Sequence, residues 1–343
     1  MAPLPDKRLR WYDVRSGRSA ERFDDLPKGG WHLPYDETDW FAPAESGHHL
    51  DEPDLIVVFV PGNPGLVDYY TDFLTTVADL TNPRKSPKGG RNLKTDVIAI
   101  SHLAQATSPL SSLAYSAILS GKLPTLADQV DHKIACIDRV HGLFPKAKIV
   151  LIGHSVGAWI CCQVLKARPK LVSRAQLLFP TISDIAATPN AQRLWPIFNR
   201  VGSAALVSLT MGTSFLPLGI TSRLTGVAQR AAVAPEGDAT KATLDLVTSP
   251  TVVASALAMA RDEMATIKDL DKAFLAQYGD RLDFYWAEGD SDGWVRSSQI
   301  QEIIETVQDK ATHQRCVLGM KHAFCLKDGA QMGRISAKWI LST

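Results

Sequence analysis

The sequence predicts an α/β fold: a mostly parallel central sheet with helices on both faces and an inserted apolar lid. Three observations predict it. Short apolar, β-branched runs alternate with segments of helical periodicity, the pattern of strand–helix–strand units. Those runs are continuously apolar rather than alternating, as strands covered on both faces must be. A glycine-flanked turn, Gly153-His154-Ser155-Val156-Gly157, joins one such run to the next helical segment.

Composition narrows the class. The 343 residues are 45% hydrophobic and 21% charged, ordinary values for a globular chain. That excludes a wholly disordered chain and a polytopic membrane protein. A chain near this length buries roughly 75% of its unfolded surface, so core size is no limitation. Lys+Arg is 37 against Asp+Glu 36, a net charge of +1. No bulk field draws the protein to nucleic acid, and none is expected as a partner. The five cysteines form no CxxC pair, which argues against a disulfide framework or a structural zinc site. The first eleven residues are charged and carry prolines, unlike the apolar run of a secretory signal, so a cytosolic-side location is expected.

Along the chain, residues 1–54 show little periodicity and read as short strands and loops. A buried strand follows at 55–60, then the loop Pro61-Gly62-Asn63-Pro64-Gly65 and a helix over 67–80. Residues 83–94 form a Pro/Gly loop with five cations and no acid. Such a run reads as a solvated loop, with contact to anionic headgroups as the alternative. A strand at 96–100 precedes a helix over 126–144, where Leu126, Val130, Ile134, Ile137, Val140 and Phe144 share one face. The strand 147–152, the 153–157 turn and a helix over 158–167 come next. That helix is apolar almost all round, as a buried helix is. Strands at 175–179, 283–287 and 315–318 and helices over 297–308 and 328–341 complete the pattern.

The region 181–277 interrupts this alternation. The chain therefore divides into a core portion 1–180, a lid or cap insertion 181–277, and a second core portion 278–343. Insertions of this kind are usually lids or binding elements. Its segment 201–222 contains no charged residue, approaching the ~20 residues of a membrane span. Gly202, Gly212, Pro217 and Gly219 argue against a clean spanning helix. A lid packed over an active site, or a re-entrant or interfacial hairpin, fits better.

The 153–157 turn carries the chemistry. It matches G-x-S-x-G in the context the motif requires, a strand before and a helix after. Backbone crowding two residues either side of the serine demands Gly153 and Gly157. The turn lifts the Ser155 hydroxyl clear of the sheet, beside the positive end of the following helix. Serine is a weak nucleophile at neutral pH and needs a base that a carboxylate orients. In this arrangement the chain order is Ser, acid, His. The acid belongs in the loop after a late strand, where Asp292 is the first choice and Asp290 the alternative. The base is His322, just after the last strand, and His154 is expected to point away from Ser155 because strand neighbours face opposite sides. Oxyanion donors are expected from the N–H of Val156 and of Asn63, with Gly62 allowing close approach of the backbone. No histidine, cysteine or carboxylate cluster has metal-ligand spacing, and neither a metal nor a cofactor is expected.

These residues resemble a known family. The elbow and its partners resemble the α/β-hydrolase fold. More narrowly, the chain is similar to the lipid droplet-associated hydrolases. The likeness rests on V-P-G-N-P-G with Tyr69, Tyr70 and Phe73 following, and on Q-V-x-H-K at 129–133. It rests also on the I-G-H-S-V-G-A elbow, L-L-F-P-T-I at 177–182 with Ser-Asp-Ile and T-P-N after it, Asp292-x-Trp294, and H-A-F at 322–324. The resemblance implies a serine esterase or lipase acting on neutral lipid esters such as sterol esters or triacylglycerols, with Ser155, Asp292 and His322 as triad. It also implies a monotopic protein on lipid droplets and the cytosolic face of the endoplasmic reticulum. The alternatives are a droplet-surface organising protein with a vestigial triad, and acyl transfer to an alcohol.

Overall fold

All six residues of Leu55–Val60 are buried, and their side chains alternate between two separate apolar cores. That is the reason the run carries no polar face: each side of the sheet it belongs to is covered. The computed structural model describes residues 40–41, 53–81, 94–105, 123–214 and 238–342. Among these, β1 (Trp40–Phe41), β2 (Leu55–Val60), β3 (Thr95–Ile100), β4 (Lys148–His154), β5 (Val172–Leu178), β6 (Leu282–Trp286) and β7 (Thr312–Arg315) form one sheet. Its order is β1-β3-β2-β4-β5-β6-β7. Only the β1–β3 pair is antiparallel.

The core helices are α1 (Thr71–Thr81), entered through a 3-10 turn at Val67–Tyr70, α2 (Leu126–Leu143) and α3 (Val156–Ala167). The insertion contributes α4 (Pro189–Phe198), α5 (Arg200–Ser214), α6 (Asp238–Thr248) and α7 (Pro250–Thr266), and then come α8 (Lys272–Tyr278), α9 (Ser297–Val307) and α10 (Gly329–Leu341). Ile56, Val58, Ile149 and Leu151 pack with α2, α3 and α9 on one face. Val57, Phe59, Val150 and Ile152 pack with α1 and α10 on the other. α2 begins at a capping box, in which the Thr125 hydroxyl accepts from Asp128 N–H and the Asp128 carboxylate accepts from Thr125 N–H.

Several boundaries differ from the sequence reading, three of them with a bearing on the site or the sheet. β5 starts at Val172 and ends at Leu178, so Phe179 leaves the sheet with φ 47°. The last strand is Thr312–Arg315 rather than 315–318, and His313 lies within it. Among the described residues β7 pairs only with β6, at the edge of the sheet, and its sequence is polar, while the apolar Val317 and Leu318 are exposed beyond it. Apolar runs mark covered strands, and an edge strand need not be one. Third, α3 begins at Val156, directly on the turn.

The basic loop 83–94, apart from Lys94, lies outside the described residues, as does most of 1–54. Of the 201–222 segment, α5 is described through Ser214. Its Val201 is 80% and its Leu209 65% exposed, so this helix is not enclosed by protein. Among the described residues no single helix is long and apolar enough to cross a membrane, though α6 from Ala242 and α7 form a pair, bent by 91°, that passes on length and composition.

Candidate active site

The elbow is built by crowding. Ser155 has φ 56° and ψ −123°, a region costing of order 1–3 kcal/mol that persists only when its surroundings enforce it. A Cβ at Gly153 would overlap the Gly157 carbonyl and Ala158, and one at Gly157 would overlap the carbonyl oxygens of Val60 and Pro61. β2 and α3 thus approach closely enough to force the turn. A Cβ at Gly62 would sit 3.2 Å from the Ser155 Cβ, so the 61–65 loop lies directly against the serine.

Three segments converge on Ser155. His322 Nε2 stands 2.9 Å from Ser155 Oγ. His322 Nδ1 stands 2.8 Å from Asp292 Oδ2. Asp292 is buried, and its second oxygen accepts the Trp294 N–H at 2.8 Å. Asp290 is exposed and accepts instead from the Ser297 hydroxyl, so it belongs to the start of α9 rather than to the histidine. Val156 opens α3, so its N–H has no acceptor within the helix. That amide and the α3 dipole face the Ser155 end of the turn.

The Asn63 side chain faces the cap. Its Nδ2 donates to the Ala256 carbonyl at 2.9 Å and to Glu263 Oε1 at 2.8 Å, both on α7. Burial pushes the Glu263 carboxyl up to about 8, against a smaller downward pull from the Asn63 hydrogen bond. The cap touches the acid loop as well: Asn190 N–H donates to the Gly293 carbonyl at 2.9 Å, and Phe198 stacks on Trp294.

Two features that the sequence reading named without a role make contacts around the site. His154 does not merely point away: its Nε2 lies 2.9 Å from the His322 carbonyl and its Nδ1 2.7 Å from the Tyr70 hydroxyl. The Q-V-x-H-K motif fixes the chain after β3. Gln129 exchanges two hydrogen bonds with the Leu103 backbone, and Lys133 Nζ donates to the Ser101 carbonyl at 2.7 Å. Burial pushes that lysine down to about 7. The only foreknowledge available for His154 was its place inside the elbow motif.

A family model described as lipid-droplet associated hydrolase matches residues 53–325. The lipid droplet-associated hydrolase of Gallus gallus is 28% identical over 295 residues, covering 84% of this chain and 85% of that protein. Its namesake from Drosophila melanogaster is 29% identical over 295 residues, covering 82% and 87%. Among solved structures, a haloalkane dehalogenase of Bradyrhizobium elkani superposes with a TM-score of 0.60 at 15% identity, covering 89% of this chain and 98% of that one. A carboxylesterase structure from Nitrososphaera gargenis gives 0.56 at 14%, covering 89% and 94%. At that identity the likeness is one of fold, and the fold is that of the α/β-hydrolases.

Proposed function

The chain belongs to the lipid-droplet associated hydrolase family, and from that premise we propose that it is a serine esterase acting on neutral lipid esters at the droplet surface. The observation that carries this reading is the unbroken line from Asp292 through His322 to Ser155, at 2.8 and 2.9 Å.

His322 takes the Ser155 proton as the hydroxyl oxygen attacks the ester carbonyl carbon. The charge that develops on the carbonyl oxygen is met by the N–H groups of Val156 and Asn63. Gly62 N–H is already engaged by the Tyr70 hydroxyl, so Asn63 is the next amide in that loop. Asp292 holds the imidazole tautomer and stabilises its charged form. The tetrahedral intermediate collapses, the alcohol leaves with the proton from His322, and water activated by His322 then releases the fatty acid.

The cap 181–277 supplies the greasy surroundings. Trp195, Ile197, Val201, Leu209 and Met211 on α4 and α5 are exposed. This side of the cap is the surface proposed to lie against the oil and to give monotopic contact with droplet or endoplasmic-reticulum membrane. Sterol esters and triacylglycerols are the proposed substrates.

A fluorophosphonate probe tests the reading. Labelling that disappears in Ser155→Ala, with emulsified neutral-lipid hydrolysis lost in parallel, supports it. A Ser155→Ala protein that retains every cellular effect of the parent would favour the non-catalytic droplet-organising reading.

A further inference from the structure

Three hydrogen bonds run from the 61–65 loop to the base. Gly62 N–H donates to the Tyr70 oxygen at 3.1 Å. The Tyr70 hydroxyl and His154 Nδ1 are 2.7 Å apart, and His154 Nε2 and the His322 carbonyl oxygen are 2.9 Å apart. Chemistry fixes every direction. A carbonyl oxygen only accepts, so His154 Nε2 carries the proton. Burial, reinforced by the nearby His322, holds His154 well below its ordinary pKa, so the ring is neutral and Nδ1 is a bare acceptor. Tyr70 must then spend its one hydrogen on Nδ1, and its lone pair receives Gly62 N–H. Burial also keeps the phenol protonated, with the Cys325 thiol beside it acting in the same sense.

The rings have no slack. Tyr70 packs at 4.6 Å on Phe59 and at 6.0 Å on Phe324 between centroids. His154 stands 4.9 Å from Phe324 and 5.1 Å from His322. Both chain residues are buried.

We propose that Tyr70 and His154 are positioning residues, which lock the oxyanion loop to the His322 loop through a one-way relay of hydrogen bonds so that both are set on Ser155 as a unit. The proposal rests on the serine-hydrolase reading for its catalytic consequence, though not for its geometry. Gly62 and Tyr70 come from the 61–65 loop and the turn before α1, so the relay brings in a part of the chain that the triad itself does not join.

The test uses the full-length protein with Tyr70→Phe, which keeps the ring and deletes the relay, and with His154→Gln and His154→Leu. In folded Tyr70→Phe, kcat on a soluble short-chain ester should fall about 10- to 100-fold with KM nearly unchanged, the scale of loss from misplacing reacting groups. Fluorophosphonate labelling of Ser155 should slow in parallel. His154→Gln, which can still donate to the His322 carbonyl, should retain more activity than His154→Leu. Nitrogen-15 NMR at pH 7 should find His154 neutral and protonated at Nε2, with the His322 resonances shifted in Tyr70→Phe. A folded Tyr70→Phe protein with kcat within about twofold of the parent overturns the proposal, since a relay that positions reacting groups must cost more. So does an Nδ1-protonated or cationic His154. If the parent neither labels nor turns over, the hydrolase reading fails, and the NMR result alone upholds or overturns the relay.

Discussion

Asn63 of the 61–65 loop and Glu263 of helix α7 meet at 2.8 Å, although 200 residues separate them in the chain. This bond ties the cap to the loop that lies against Ser155. Its carboxyl is raised from 4.5 to about 8 by burial. The folded protein therefore holds a proton that the unfolded chain has released across that window. Stability from this group is complete below about pH 4.5, declines as pH rises toward 8, and changes no further above it. Glu263→Gln keeps an acceptor for Asn63 without the titration. Thermal denaturation should find the variant gaining on the parent steadily from pH 5 to 8. A parallel pair of stability curves would contradict the assignment.

The choice between two carboxylates is testable by exchange for amides. Asp292→Asn should lower kcat by about 10⁴-fold, the loss that accompanies a wrong imidazole tautomer in the serine-protease triad. Asp290→Asn, at an exposed site, should stay within ~0.5 kcal/mol of the parent in stability and leave turnover unaltered. Steady-state kinetics on both variants decide it, and the reverse ranking would transfer the role to Asp290.

The elbow tolerates no side chain at 157. A methyl there would overlap two backbone carbonyl oxygens, of Val60 and Pro61, neither of which can yield as a flexible side chain would. Gly157→Ala should destabilise by more than ~4 kcal/mol, among the largest single-site effects, and abolish fluorophosphonate labelling. Urea denaturation measures the first. A variant unfolding at the parental midpoint would mean that β2 and α3 are less closely packed than described.

The apolar outer side of α5 offers a surface prediction. Val201→Asp with Leu209→Asp removes two exposed side chains, each worth ~1.5–3 kcal/mol when transferred from water to oil. Partition onto triacylglycerol emulsions should drop at least ~10-fold, the equivalent of 1.4 kcal/mol. Turnover of a soluble ester should be unchanged, because both sites face away from the core. Undiminished partition would move the contact elsewhere on the protein.

Sequence made the covered parts of the sheet legible. The 55–60 run and the α3 segment are apolar because two layers bury them, and the elbow motif is meaningful because a strand and a helix flank it. β7 was misplaced because an edge strand has no such signature: Thr312, His313, Gln314 and Arg315 look like a loop. Glu263 was invisible for a different reason. A carboxylate on a helix reads as solvated until tertiary packing buries it, and nothing local to it announces Asn63. His154 was discounted by an argument about strand alternation that ignores what stands on the far side. Facing away from Ser155 is what lets its ring reach the backbone of His322.

β5 and β6 are hydrogen-bonded neighbours, with Leu178 opposite Tyr285, and the whole cap is spun out between them. The strands are parallel, so the excursion leaves after Leu178 and returns at Leu282, which lies opposite Ala175; the register of the sheet fixes both ends, whatever length of chain intervenes. Loop closure grows only slowly more costly with length. Natural variation can therefore lengthen, shorten or replace that excursion while the reacting groups keep their separations. Relatives would then diverge in diet and in the interface they graze on long before they diverge in how a bond is cut.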